Sequence, residues 1–118
     1  MFINLSNHPS RLWGEEQLRQ ASLFGEIIDM PFPHVAPDAD EEEIQALADE
    51  YVMKIMEMRY EDEVVVHVMG EMALTYAIVD RLKKKDIKCV ASTTMRKVSE
   101  DANGQKISLF SFVRFREY

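Results

Sequence analysis

Three short stretches carry most of the residues that could do chemistry. Ser6-Asn7-His8-Pro9-Ser10-Arg11 follows one apolar segment, Gly70-Glu71 with Thr75 follows a second, and Ser92-Thr93-Thr94-Met95-Arg96 follows a third. Together with Asn4 they offer small hydroxyls, amides, one glycine, an imidazole and two arginines. That set suits phosphate and ribose. Hydroxyls and backbone N–H groups hold phosphate oxygens, and arginine pairs with them bidentately. The candidate ligand-binding residues are therefore Asn4, Ser6, Asn7, Ser10, Arg11, Gly70, Glu71, Thr75, Thr93 and Thr94, together with His8, Ser92 and Arg96. An adenine would need apolar or aromatic walls, for which Trp13, Phe32 and Tyr76 are available.

Other chemistries lack their motifs. No G-x-G-x-x-G follows the first apolar segment, and no G-x-x-x-x-G-K-[ST] is present, which disfavours dinucleotide cofactors and ordinary nucleoside-triphosphate hydrolysis. There is no Cys/His spacing for zinc and no G-x-S-x-G elbow, so neither a metal nor a cofactor is expected. The acids from Asp38 to Glu43 read as the charged first turn of a helix rather than as a metal site. His67, in mid-strand, is more often a satisfied core residue than a catalyst. The single cysteine, Cys89, lies in an apolar run and reads as an inert core thiol.

At 118 residues the chain is expected to form one domain, residues 1–118. No apolar run approaches the roughly 20 residues that span a membrane. The start, MFINLSNHPSRLW, lacks a basic region followed by an apolar core, so a reducing cytoplasm is the expected location and no membrane partner is expected. The net charge of −7 is unevenly spread. Residues 1–80 hold 4 basic and 17 acidic side chains, and residues 81–118 hold 10 basic and 4 acidic. The acidic whole argues against binding long nucleic acid. The basic last third suits a local anion site or simply a solvated helix end and hairpin.

The elements that must position these stretches follow from periodicity. Met1–Leu5, Glu26–Met30, Val64–Met69 and Ile87–Ser92 read as short buried strands. Glu15–Phe24, Asp40 to about Arg59, and Glu71–Lys85 read as helices. Asn103-Gly104 marks a hairpin turn into a last strand, Ile107–Phe115. The order βαβαβαβ plus a hairpin predicts an α/β, Rossmann-like three-layer fold. Its sheet is mostly parallel, in the order 2-1-3-4-5, with a C-terminal antiparallel β hairpin. The switch point then lies between strands 1 and 3, where helix N-termini and strand ends bind ligands.

N-L-S-N-H-P-S after strand 1, V-H-V-M-G-E-M-A-L-T-Y-A-I-V-D-R-L around strand 3 and C-V-A-S-T-T-M-R at strand 4 resemble the small CRISPR-accessory proteins related to the CRISPR-associated Rossmann fold sensor domains. The resemblance covers most of the chain in layout and is specific only in the strand-1 loop, the Gly-Glu turn and the Ser-Thr-Thr-x-Arg segment. It implies a homodimer that binds a cyclic oligoadenylate second messenger, and some such proteins are ring nucleases. Cleavage of that kind needs no metal: a ribose 2′-hydroxyl attacks the adjacent phosphate when held in line. His8 is then the general-base candidate. Arg96 and Arg11 would stabilise phosphate charge, and Ser6, Ser92 and Thr93 would hold phosphate oxygens. His8 has an equal reading as a loop residue bracing the turn before Pro9. Glu71 has two, hydrogen-bonding a ribose or adenine, or capping its helix. A messenger-binding sponge without catalysis and an interaction protein without a nucleotide ligand are the rival functions.

Overall fold

A computed structural model describes residues 1–58 and 63–118. The elements run β1 (Phe2–Ser6), a 3-10 turn (Ser10–Leu12), α1 (Glu15–Ser22), β2 (Ile27–Pro31), α2 (Glu41–Met58), β3 (Val65–Met69), α3 (Met72–Lys84), β4 (Lys88–Glu100) and β5 (Lys106–Glu117). The expected end of α2 at Arg59 lies outside the described residues. One five-stranded sheet has the order β2-β1-β3-β4-β5, parallel except for the antiparallel β4–β5 pair. The α/β fold class and strand order expected from periodicity are those observed. No helix among the described residues is long and apolar enough to cross a membrane.

Alternation along the strands divides the sheet into two unlike faces. On one, Ile3 and Leu5 of β1, Val66 and Val68 of β3 and Cys89 of β4 pack under α2 and α3, through Ile44, Ala48, Val52, Ile55, Leu74, Ile78 and Leu82. This is the main core. On the other face, Phe2, Val65, Val90 and Phe115 pack with Trp13 and Ala21 under α1 alone. An eight-residue helix spans only about 12 Å. It covers one end of its face and leaves the carboxyl ends of the strands thinly roofed.

The hairpin is longer than the sequence suggests. β4 pairs with β3 only over Val65–His67 and Lys88–Val90, yet continues with β5 out to Glu100 and Lys106. A register shift at Thr93/Thr94 places Val113 in a bulge, so that Ser92 and Phe115, Thr94 and Phe112, and Arg96 and Phe110 are opposed in turn. The projecting ribbon raises the radius of gyration to 16.1 Å, against about 13.5 Å for a compact chain of this length. Met95, Val98, Leu109 and Phe110 on it are exposed.

Ile78 is fully buried on α3 in the main core. Ile78→Ala should cost about 2–5 kcal/mol in urea unfolding, the range for an aliphatic side chain truncated in a packed core. A cost below 1 kcal/mol would mean that this face is not packed as described.

Candidate active-site cleft

Register brings a polar row together on the thinly covered face. Asn4 on β1 is the cross-strand partner of Asp29 on β2 on one side and of His67 on β3 on the other. His67 in turn opposes Val90 on β4, and Ser92 lies two residues beyond. Parallel pairing therefore sets the side chains of Asp29, Asn4, His67 and Ser92 in line across four strands. Asn4 Nδ2 donates to Asp29 Oδ1 at 2.8 Å, Asn4 Oδ1 meets His67 Nδ1 at 2.8 Å, and His67 Nε2 meets Ser92 Oγ at 2.7 Å. Asn4, Ser6 and His67 are buried.

The direction of each hydrogen bond is forced. Asp29 is exposed, and the slight desolvation from its neighbours opposes its ionisation. Hydrogen bonds from Asn4 and from the Ser10 hydroxyl and N–H, with Arg11 nearby, outweigh this and hold its pKa below the usual value. An ionised carboxylate only accepts, so the Asn4 amide points its NH₂ at Asp29. The same NH₂ donates to the His8 carbonyl at 2.9 Å. Asn4 Oδ1 therefore faces His67, and it also accepts from Ser6 Oγ at 2.7 Å. His67 must carry its proton on Nδ1, which leaves Nε2 bare to accept from Ser92.

The imidazole sits in an aromatic box. It stacks on Phe2 at 6.1 Å and meets the edges or faces of Trp13 at 5.6 Å and Phe115 at 5.4 Å. Burial, reinforced by the charge of nearby His8, pushes its pKa down to about 4. His67 is thus a neutral acceptor throughout the neutral range. Above it opens a cleft of about 320 Å³, lined by Ser6, His8, Leu12, Trp13, Gln17, His67, Met69, Ser92, Thr94 and Phe112. None of these described lining residues is a carboxylate.

The loop after β1 is braced by the backbone carbonyl of His8, which accepts from Asn4 Nδ2 and Trp13 Nε1. The bracing belongs to that carbonyl, and the His8 side chain is exposed at the cleft. Ser6, His8, Ser92 and Thr94 share this cleft with Trp13. The other expected residues stand elsewhere. Ser10 secures Asp29 from below. Asn7 lines a neighbouring hollow with Pro9 and Phe32, and Arg11 is exposed on the 3-10 turn. Thr93 Oγ1 exchanges hydrogen bonds with the Arg114 backbone at the bulge. Arg96 lies on the same ribbon face as Ser92, about 13 Å further out, where it donates to Ser108 Oγ.

Of the two readings of Glu71, the structure shows the helix cap. Glu71 is the N-cap of α3, and its carboxylate accepts from the Ala73 and Leu74 N–H groups at 2.9 and 2.8 Å. The donors that would bind a ligand anion are taken by the chain's own carboxylate. Gly70 is needed because Phe32 packs on its backbone: a Cβ there would come within 2.5 Å of the ring. Gly70, Thr75 and Tyr76 line a separate apolar hollow with Met72 and Tyr118.

Sequence reasoning missed Asp29, Gln17 and His67. Asp29 and His67 carried one signal, a polar residue interrupting an apolar strand. The register that joins them is not local.

The residues of this cleft all fall within one matched family, described as the uncharacterized protein MJ1673 family, whose model covers residues 1–116. The chain belongs to the MJ1673 family. No curated protein and no solved structure matches it. The cleft of this MJ1673-family chain is therefore read from its own geometry.

A histidine whose pKa falls from 6.5 to about 4 on folding binds its proton more readily when unfolded. Its contribution to stability is complete above the unfolded value and is lost as the pH falls from 6.5 through 4, on the order of 3 kcal/mol in all. Between pH 7.5 and 4.5, wild-type urea stability should therefore fall by about 2–3 kcal/mol more than that of His67→Gln. Equal acid losses would show that His67 is not held neutral.

Proposed function

We propose that this chain binds a cyclic oligoadenylate in the cleft over β1, β3 and β4 and cleaves it by metal-independent attack of a ribose 2′-hydroxyl on the neighbouring phosphate. The observation that carries this reading is the composition of the cleft. Apolar and aromatic walls from Leu12, Trp13, Met69 and Phe112 suit a base. The hydroxyls of Ser6, Ser92 and Thr94 and the imidazole of His8 suit ribose and phosphate, and no carboxylate among the described lining residues repels an anion. This acid-free patch belongs to a chain of net charge −7. Thr94, Phe112, Arg96 and Phe110 continue the same ribbon face outward, offering an arginine and stacking platforms to the rest of a ring. The resemblance to CRISPR-accessory proteins points the same way.

A ring with rotational symmetry fits a twofold interface, and a homodimer is part of the proposal. Two observations favour the ribbon as its contact. An isolated two-stranded ribbon is marginally stable, and this one exposes Met95, Val98, Leu109 and Phe110. It also carries Arg96, Lys97 and Lys106, whereas α2 begins with Glu41, Glu42 and Glu43. A second copy would cover the apolar strip and answer the charge.

Cyclic tri-, tetra- and hexa-adenylate should be compared by thermal shift. One of them should raise the melting temperature and, with protein in excess, give linear products ending in a 2′,3′-cyclic phosphate. Binding with the ring left intact would leave the sponge, and no binding to any ring would end the nucleotide reading. Light scattering should give a dimer mass for the wild type and a monomer mass for Phe110→Glu. A dimer that survives this change would put the interface elsewhere.

A further inference from the structure

Attack by a ribose 2′-hydroxyl requires an acceptor for its proton. We infer that Ser92 is the group that takes it, passing its own proton to His67, with Asn4 and Asp29 as positioning residues that hold His67 in the accepting tautomer. The inference rests on the reading of the cleft as a cyclic-oligoadenylate site.

The hydrogen-bond directions carry the argument. Asp29 accepts from Asn4, Asn4 Oδ1 accepts from His67 Nδ1, and His67 Nε2 accepts from Ser92. Ser92 has a single proton, and it is committed inward. Gln17 Nε2 donates to one of its lone pairs at 3.2 Å, so the lone pair left over faces the cleft. A phosphate oxygen arriving at Ser92 meets no donor, whereas a hydroxyl meets an acceptor. Ser92 is therefore placed to receive a sugar hydroxyl rather than to hold phosphate. His67 is 2% exposed at the floor of the cleft, and its accepting Nε2 is occupied by Ser92.

The arrangement is a hydroxyl, an imidazole and an orienting amide in hydrogen-bond reach, the order used to activate hydroxyl groups on unrelated folds. Here the hydroxyl relays rather than attacks. As the 2′-oxygen bonds to phosphorus, its proton moves to Ser92 Oγ and the Ser92 proton moves to His67 Nε2. The bond from phosphorus to the 5′-oxygen breaks, and the leaving oxygen takes a proton from water. The products are a 2′,3′-cyclic phosphate and a 5′-hydroxyl, and His67 returns its proton to solvent through Ser92. The ligand's own phosphates and the ionised Asp29, one amide away, favour the transient imidazolium.

The test is single-turnover cleavage of whichever of the three rings binds tightest, with the dissociation constant measured for each variant. Ser92→Ala should slow cleavage by about 10²–10⁴-fold, the range for a lost general base, with the dissociation constant changed less than about threefold. Ser92→Thr, which keeps the hydroxyl, should recover the rate to within about tenfold. His67→Gln should match Ser92→Ala, and if it fails to fold the two Ser92 variants decide the matter. Ser92→Ala cleaving at the wild-type rate, or losing binding and cleavage together, overturns the relay and leaves the messenger reading in place. A wild type that binds but never cleaves overturns the relay together with the cleavage half of the proposed function, and leaves the sponge. A wild type that binds no ring overturns both.

Discussion

The row of hydrogen bonds from Asp29 through Asn4 and His67 to Ser92 is the constraint on which the rest of the site depends. Buried polar groups without partners cost on the order of 1–3 kcal/mol each, so a sheet face that buries an amide and an imidazole must satisfy both. It does so in one direction only. Asp29 can only accept, so Asn4 turns its NH₂ outward, His67 takes its proton on Nδ1, and Ser92 is left to donate. Ser6 and Ser10 close the remaining valences. The orientation of a hydroxyl on β4 is thus decided by a carboxylate on β2.

The unequal covering of the sheet makes this row usable. α2 and α3 bury one face in aliphatic side chains, while α1 reaches only the aromatic end of the other. Past that end lie the carboxyl ends of the parallel strands, where the cleft opens. α1 is tied there by Gln17 to Ser92 and by Gln20 to the Val113 carbonyl at the bulge. The bulge has its own consequence, because it keeps Phe112 and Phe110 of β5 on the face of Ser92, Thr94 and Arg96. Without it those two aromatic side chains would turn to the opposite face of the ribbon.

Charge is arranged around the same geometry. The N-terminus of α3, a natural anion site, is closed by Glu71. Arg96 stands on the hairpin, on the face that Ser92 shares. In the proposed function the base and sugar would lie over the aromatic box, and the phosphates would reach toward the ribbon of this copy or of a second one.

The sequence by itself determined the layering and the strand order. Alternating and continuous apolar runs, a proline-rich break and an Asn-Gly turn are local signals, and each reports on which side chains must leave water. It also determined the chemical character of the loops, since hydroxyls and amides cluster where the strands end. What only the tertiary structure decided is which of those groups meet. His8, Ser92 and Arg96 looked equivalent along the chain, yet Arg96 stands about 13 Å from Ser92 and Thr93 is spent on a bulge. His67, which reads as a core residue, is buried and satisfied as such, and by the same contacts it orients Ser92. The reason is physical. Whether Asn4 faces Asp29 and His67 depends on parallel register across segments 25 and 63 residues away. A slip of one residue in β1 would turn Asn4 toward the opposite, apolar core and break the row.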